Sequence, residues 1–579
     1  MSAGNTPGTA PLPSAAASAH TTPRADNADR NPVLEDHPWF MVHEAVDLPI
    51  YINETADAAF ATRLRQTAST RPVNHLARVQ YVEDDTLRLL SESSDPPSWP
   101  SSSRLKFLVN AALDTACKTW HIVRRSRIER DVEALLQNPT GCQWLKASRI
   151  WALMAIGDAF SSRCTLPDQP FPGAKYWARA MRLVHVNMER PRLCLVEVYL
   201  LLVSLLHMKT LATAVIPLTP RQAFYAAVMN RRHTAVLLSG HSLRLCLVLG
   251  LHIEISDTQL KDPGLREHRC RLWWTAFRFD RLWAGRVGIP PSIPEESIEI
   301  RLPSSQGLPI GSEIDFRDAE FLVMGVRLSR ILSRAVNTLY VWKRQQTSFS
   351  ERVQAAVRSL RDWAEDLPEH LKLRPGETLP PHVQYMHLSF IQSVLVVTRP
   401  VLLHLYRQSL PRRDDSSAQA PPFSDPALSL TTACVRYARQ SMELLKRSWA
   451  DGSFPTFDYF HVQFLFSSAT ILAISALLKG TGWANDREDF LLACSFLHQL
   501  EQNGNLAAKE FSTHVDALKA MMLEETGGDT TMEQPAAVED PPLQDFLDFS
   551  DIDLNFMETD AQWLEFQELC WPETQGLGE

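Results

Sequence analysis

Arg244 and Asp280 are the ionisable residues whose setting most demands a partner. Arg244 follows Leu237 and His241 at helical spacing and precedes Val248 and Leu251, while Asp280 falls one heptad after Trp273, beside Phe277 and Ala284. A charge left alone among apolar side chains is costly, so the spacing predicts an ion pair between the two across neighbouring helices. The alternative is that each reaches solvent along its own stem. Neither arrangement is a catalytic dyad.

Other residue sets that could do chemistry fall short of their templates. Gly240-His241-Ser242 begins like a nucleophile elbow, but Arg244 stands where the second glycine belongs and no strand precedes it. Glu83, Asp84 and Asp85 approach a magnesium-diphosphate motif, but Arg88 follows where a third carboxylate is needed, and Asn485-Asp486 lacks downstream ligands. Cys117 and His121 can share a helical face, yet two ligands do not make a metal site. No Gly-rich phosphate loop, H-E-x-x-H or C-x-x-C occurs. The expectation is no catalytic, cofactor-binding or metal-binding residue in this chain, although an all-α enzyme built from distant residues stays open as a third reading.

A different chemistry sits near the C-terminus. Phe546, Leu547, Phe549, Ile552, Leu554, Phe556, Trp563, Leu564, Phe566, Leu569 and Trp571 alternate with Asp548, Asp551, Asp553, Glu558, Asp560, Glu565 and Glu568. From Glu524 onward there are 16 acidic residues and no Lys or Arg, so the formal charge of −9 conceals a mildly basic body with 58 Lys and Arg before it. Carboxylate repulsion keeps such a segment open and its bulky side chains available for a hydrophobic groove in a partner. This is the pattern of an acidic activation segment. Its alternative is a terminal helix docking on the protein's own core through Trp563, Phe566 and Cys570.

The elements that must carry these residues read as helices. Arg232 to Leu251 stacks Val236, Gly240, Leu243, Leu247 and Leu251 on one face, with Gly250 placed to end it. Leu265 to Val287 has a wide apolar arc, with Leu272, Trp273, Ala276, Phe277, Phe279 and Trp283, and wide arcs belong to buried helices. Further helices are expected at Thr55–Gln66, from Arg104, and at Trp144–Phe160, Lys175–Arg190, Leu193–Met208, Ala319–Arg344, Ser350–Glu365, Pro381–Arg407, Leu428–Trp449, Tyr459–Lys479, Glu488–Glu501 and Leu506–Leu523. From Arg104, the apolar face is Phe107, Leu108, Ala111, Ala112, Thr115 and Trp120. One short strand is expected at Ser297–Leu302, where Ile298, Ile300 and Leu302 alternate with charges.

With 45% hydrophobic residues and only 22 glycines, the composition suits a large helical core. The fold class expected is all-α, a large bundle-like domain over 36–523 with its centre at 231–303. An Ala/Ser/Thr/Pro-rich, disordered segment over 1–35 precedes it and the acidic tail 524–579 follows. The apolar runs Leu193–Met208 and Phe464–Leu478 are shorter than a bilayer span and are expected to be core helices. Nine scattered cysteines without an export signal suit reduced thiols. The arginines between Arg124 and Arg130 are interleaved with Glu129, Asp131 and Glu133 and read as a solvated face, not a nucleic-acid footprint.

Asn230-Arg231-Arg232-His233, Gly240 to His252, Arg266-Glu267-His268-Arg269, Leu272-Trp273-Trp274-Thr275-Ala276-Phe277, Asp280-Arg281 and Gly288 to Pro303 together resemble the regulatory middle homology domain of fungal zinc-cluster transcription factors. Pro38-Trp39-Phe40 and Thr398-Arg399-Pro400 extend the likeness over most of the body. The resemblance implies an all-α domain concerned with dimerisation and effector response, an acidic activation region and a nuclear regulator acting on DNA with a transcriptional coactivator. It also implies governance of a metabolic or secondary-metabolite gene set. The chain departs from the pattern twice. No cysteine precedes Cys117, so the six-cysteine cluster that holds zinc in family members is absent here, and DNA contact is expected either directly or through a DNA-bound partner. Residues 206–222 are longer than the pattern and read as an insertion.

Overall fold

Apolar residues at helical spacing do form helices along nearly the whole body. The computed structural model describes residues 31, 34, 38–41, 50–69, 73–76, 98–165, 171–184, 192–206, 232–343, 345–374, 379–410 and 425–526. All of the proposed disordered start except Asn31 and Leu34, the insertion from 207 onward and the aromatic part of the acidic tail lie outside these residues.

The helices are α1 (Asp57–Ala68), α2 (Ser102–Asp114), α3 (Ala116–Thr119), α4 (Arg125–Gln137), α5 (Trp144–Ser161), α6 (Ala174–Val184), α7 (Leu193–Leu206), α8 (Arg232–Val248), α9 (Pro263–Val287) and α10 (Ala319–Leu339). They continue as α11 (Phe349–Glu365), α12 (Pro381–Ser409), α13 (Asp425–Ala450), α14 (Tyr459–Leu478), α15 (Trp483–Gln502) and α16 (Leu506–Thr526). Helix α5 packs on α2, α6 and α7, and α7 passes the core on to α8 and α9. Helix α9 leads through α10 to α11 and α12, and α12 to α16 form the other half. The first helix, α1, lies against α12, α14 and α16, so the two ends of the described body meet.

Local chemistry sets the ends of the central pair. Helix α8 closes as the sequence predicts: Leu251 N–H reaches Cys246 O and Gly250 N–H reaches Leu247 O, both at 2.9 Å, with Gly250 at φ 63°. Helix α9 starts with the Asp262 side chain accepting from Leu265 N and Pro263 in its first turn, and ends at Gly288, φ 72°. Its last carbonyls are taken from outside, since Thr55 Oγ1 donates to Gly285 O and Asn53 Nδ2 to Gly288 O, each at 3.0 Å. A Cβ at Gly288 would lie 1.8 Å from Asn53 Cγ, so both the conformation and the contact require glycine there.

Two expectations are corrected. Ser297 closes a 3-10 turn, Glu295–Ser297, and residues 298–302 join no sheet; Glu299 N–H donates to His252 O at 3.0 Å and Arg301 turns to Glu267, so the segment finds partners one at a time. The sheet among the described residues is instead β1 (Trp39–Met41) against antiparallel β2 (Ile50–Ile52), each too short for alternation to mark it. The helix expected from Arg104 breaks at Thr115 (φ −115°, ψ −91°), and Phe107 is 52% exposed, off the apolar face. Helices α12 and α14 are long and apolar enough to cross a bilayer, yet 89% of each apolar stretch is buried within the protein, so the run Phe464–Leu478 lies in a core helix as expected.

Candidate functional site

The predicted pair does not form. Arg244 lies on the outer face of α8 with Leu237 and Val248, which are 69% and 71% exposed, so the arc that looked buried faces solvent. Asp280, buried on α9, takes a hydrogen bond from its neighbour Arg281 at 2.7 Å, from Ser292 N at 3.1 Å and from the Ser292 hydroxyl. Ser292 rests against Gly240 of α8, whose missing side chain admits it. Helix α8 therefore does approach Asp280, but through a glycine and a returning loop. Arg281 completes the knot by donating to Ile293 O at 2.6 Å.

A buried polar chain that residue spacing does not mark runs deeper. Arg149 on α5 binds both Asp131 of α4 and Glu197 of α7, and Lys146 reaches Asp131 at 2.8 Å. Glu197 Oε1 meets His268 Nε2 at 2.9 Å, and His268 Nδ1 meets His121 Nε2 at 2.9 Å. Arg149, Glu197 and His268 are each no more than 1% exposed. Burial opposes the Glu197 charge, but Arg149 and His268 more than offset it and hold the carboxyl down at about 2. Burial pushes His121 well below its ordinary value, with His268 and the Arg271 and Arg124 guanidiniums adding to it. The clue in the sequence was Glu197 as the single charge in an apolar run; such a residue needs a partner from elsewhere. His121 thus pairs with His268 and not with Cys117, whose thiol burial raises to about 12.

A second buried brace ties the ends of the fold. Asp57 at the start of α1 accepts from Arg399 and Gln463 and, at 3.2 Å, from Gln392, and Arg399 also donates to Thr55 O at 2.6 Å. Burial raises the Asp57 carboxyl, yet Arg399 and then Arg286 outweigh it and keep it below the usual range.

The described body also holds a cavity of about 340 Å³. Helix α3, the start of α12 and the turn from α13 to α14 line it, with Trp120, Phe160, Tyr385 and Phe460 as aromatic walls. Trp120 is fixed by stacking on Phe279 at 4.4 Å and by the Arg278 guanidinium 4.3 Å above its ring. Arg278 is buried, with Nε and Nη1 lacking a hydrogen-bond partner among the described residues, and burial pulls its pKa from the usual guanidinium range down to about 10. The polar groups of the lining fall into two sets, Lys118, Arg317 and His382, which act on one another, and Asp458 with His461. No sequence spacing could have found this cavity, because its walls come from six separated stretches.

Comparisons with known proteins point to transcriptional regulators. Residues 221–366 match the fungal specific transcription factor domain, a stretch that holds α8, α9, α10 and α11. The chain is 23% identical over 250 residues to an uncharacterized transcriptional regulatory protein of Schizosaccharomyces pombe, covering 42% of this chain and 29% of that protein. It is 27% identical over 226 residues to transcription factor FBD3 of Gibberella moniliformis, covering 36% and 29%. It is 23% identical over 332 residues to Activator of stress genes 1 of Saccharomyces cerevisiae, covering 53% and 32%. The chain thus spans about a third of the length of these relatives.

Proposed function

We propose that this protein is a nuclear transcriptional activator whose helical body, 36–523, is a regulatory unit and whose tail, 524–579, recruits coactivator. The observation that carries this reading is the match of residues 221–366 to the fungal specific transcription factor domain, joined by relatives that are themselves transcriptional regulators. The aromatic and acidic alternation from Phe546 to Trp571 supports the activating sense. On this reading the protein is not an enzyme, it governs a metabolic or secondary-metabolite gene set, and its body answers to a small-molecule effector or to a second regulator chain.

Fusing Glu539–Glu579 to a heterologous DNA-binding domain tests activation. Reporter output is expected, and it should fall when Phe549, Phe556 and Trp563 are changed together to alanine; silence of the intact fusion defeats the reading. A second reading is a regulator or corepressor that pairs with a DNA-binding zinc-cluster partner. Sequence-specific binding of a promoter by the purified chain alone would exclude it.

A further inference from the structure

We propose that the cavity walled by Trp120, Tyr385 and Phe460 binds a small amphipathic anion, an aromatic or aliphatic carboxylate, with its apolar body on the rings and its carboxylate at Lys118 and Arg317. This deepens the effector reading above and rests on it for its biological meaning, although the binding itself does not.

The walls argue for the apolar body. Trp120 and Tyr385 meet edge to face at 5.9 Å, Tyr385 and Phe460 likewise at 5.8 Å, and Phe160 closes the side. The volume of about 340 Å³ falls in the range, roughly 300–1,000 Å³, of sites that enclose small ligands, and such sites pair an apolar lining with a few placed polar groups.

The charges argue for the anion. Lys118, Arg125 and Arg317 converge on a single carboxylate, Asp114. Arg125 engages it closely, whereas Lys118 and Arg317 both stand off at 3.8 Å. Burial and then the Arg125 charge pull Arg317 below its ordinary value, and burial followed by Lys118 and Arg317 does the same to His382. The neighbouring carboxylate Asp318 is already taken, by Glu320 N–H at 2.8 Å and by His370 at 2.7 Å. Asp458, the carboxylate in the second set, is held by His461 and by Phe460 N–H. Lys118 and Arg317 of the lining therefore share one lining carboxylate, Asp114, with Arg125, and a second carboxylate there offsets the excess of positive charge.

Calorimetric titration of the full chain tests the proposal, with 2-naphthylacetate and 4-phenylbutyrate as probes against 2-naphthylacetamide, 2-naphthylethylamine and inorganic sulfate. At least one acid is expected to bind saturably, the amide at least tenfold more weakly, and the amine and sulfate not at all. Lys118→Gln with Arg317→Gln, both at partly exposed side chains, should weaken the acid tenfold or more and leave the amide unchanged, while Thr119→Trp should fill the cavity and abolish both; thermal melts verify that each variant is folded. Equal binding of acid and amine, equal binding of acid and sulfate, or no saturable binding of either acid overturns it. Because the readout contains no transcription step, failure of the reporter fusion leaves this result standing, and the reverse also holds.

Discussion

The Tyr340 hydroxyl at the end of α10 donates to the Val396 carbonyl at 2.7 Å, and Val396 stands four residues before Pro400 inside α12. Proline has no N–H, so the helix leaves that carbonyl unclaimed, and a side chain from another helix claims it. The same Tyr340 also takes a hydrogen bond from Arg399. The Thr398-Arg399-Pro400 stretch is thereby bound both to α10 and, through Asp57, to α1.

Tyr340→Phe should lower unfolding free energy by about 1–3 kcal/mol, the cost of a buried acceptor left unsatisfied. In a Pro400→Ala background the restored N–H can serve Val396, so the loss from Tyr340→Phe should shrink. Denaturant titration of the four proteins measures the coupling; equal losses in both backgrounds would reject the link.

Gly157→Ala should cost about 3 kcal/mol, at the upper end of ordinary overpacking. A Cβ there would fall 1.8 Å from the Leu108 carbonyl oxygen of α2, and backbone cannot swing aside as a side chain can. A thermal melt unchanged from the parent would show that α2 and α5 separate freely.

Asp280→Ala should cost about 3 kcal/mol, because it strands Arg281 in the core and frees the loop at Ser292. Arg244→Ala should change stability by no more than about 0.5 kcal/mol, as an exposed surface residue does. The double variant should equal their sum, and a deviation above about 1 kcal/mol would revive the pairing across α8 and α9.

Glu197 gives a pH dependence of known direction. Its folded carboxyl lies at about 2 and its ordinary value is 4.5, so it stabilises the fold fully above about pH 4.5 and loses that contribution as the pH falls through about 2. Glu197→Gln should therefore cost about 3 kcal/mol at pH 7, where it leaves Arg149 underpaired, and should cost progressively less from pH 4.5 downward. Urea midpoints taken across that interval check it; a loss independent of pH would remove the charge from the account.

What the sequence settles by itself is whatever depends on neighbours along the chain. Apolar spacing placed α8 and α9 and nearly every later helix within a few residues, and Gly250 marked an end, because these are forces between residues one or two turns apart. The likeness of residues 231–303 to a regulatory domain rests on the residue motifs themselves and not on spacing, and it falls within the matched stretch 221–366. Which side of a helix meets another is a different matter. On α8 two apolar stripes compete, and only packing decided that Leu243 and Cys246 go inward while Leu237, Arg244 and Val248 stay out. The partners of Asp280, Glu197 and Asp57, and the rings around the cavity, come from stretches up to 406 residues apart, as with Asp57 and Gln463. A charge announces along the sequence that it needs a partner, but the partner is chosen by distance in space, and that distance exists only once the helices have packed.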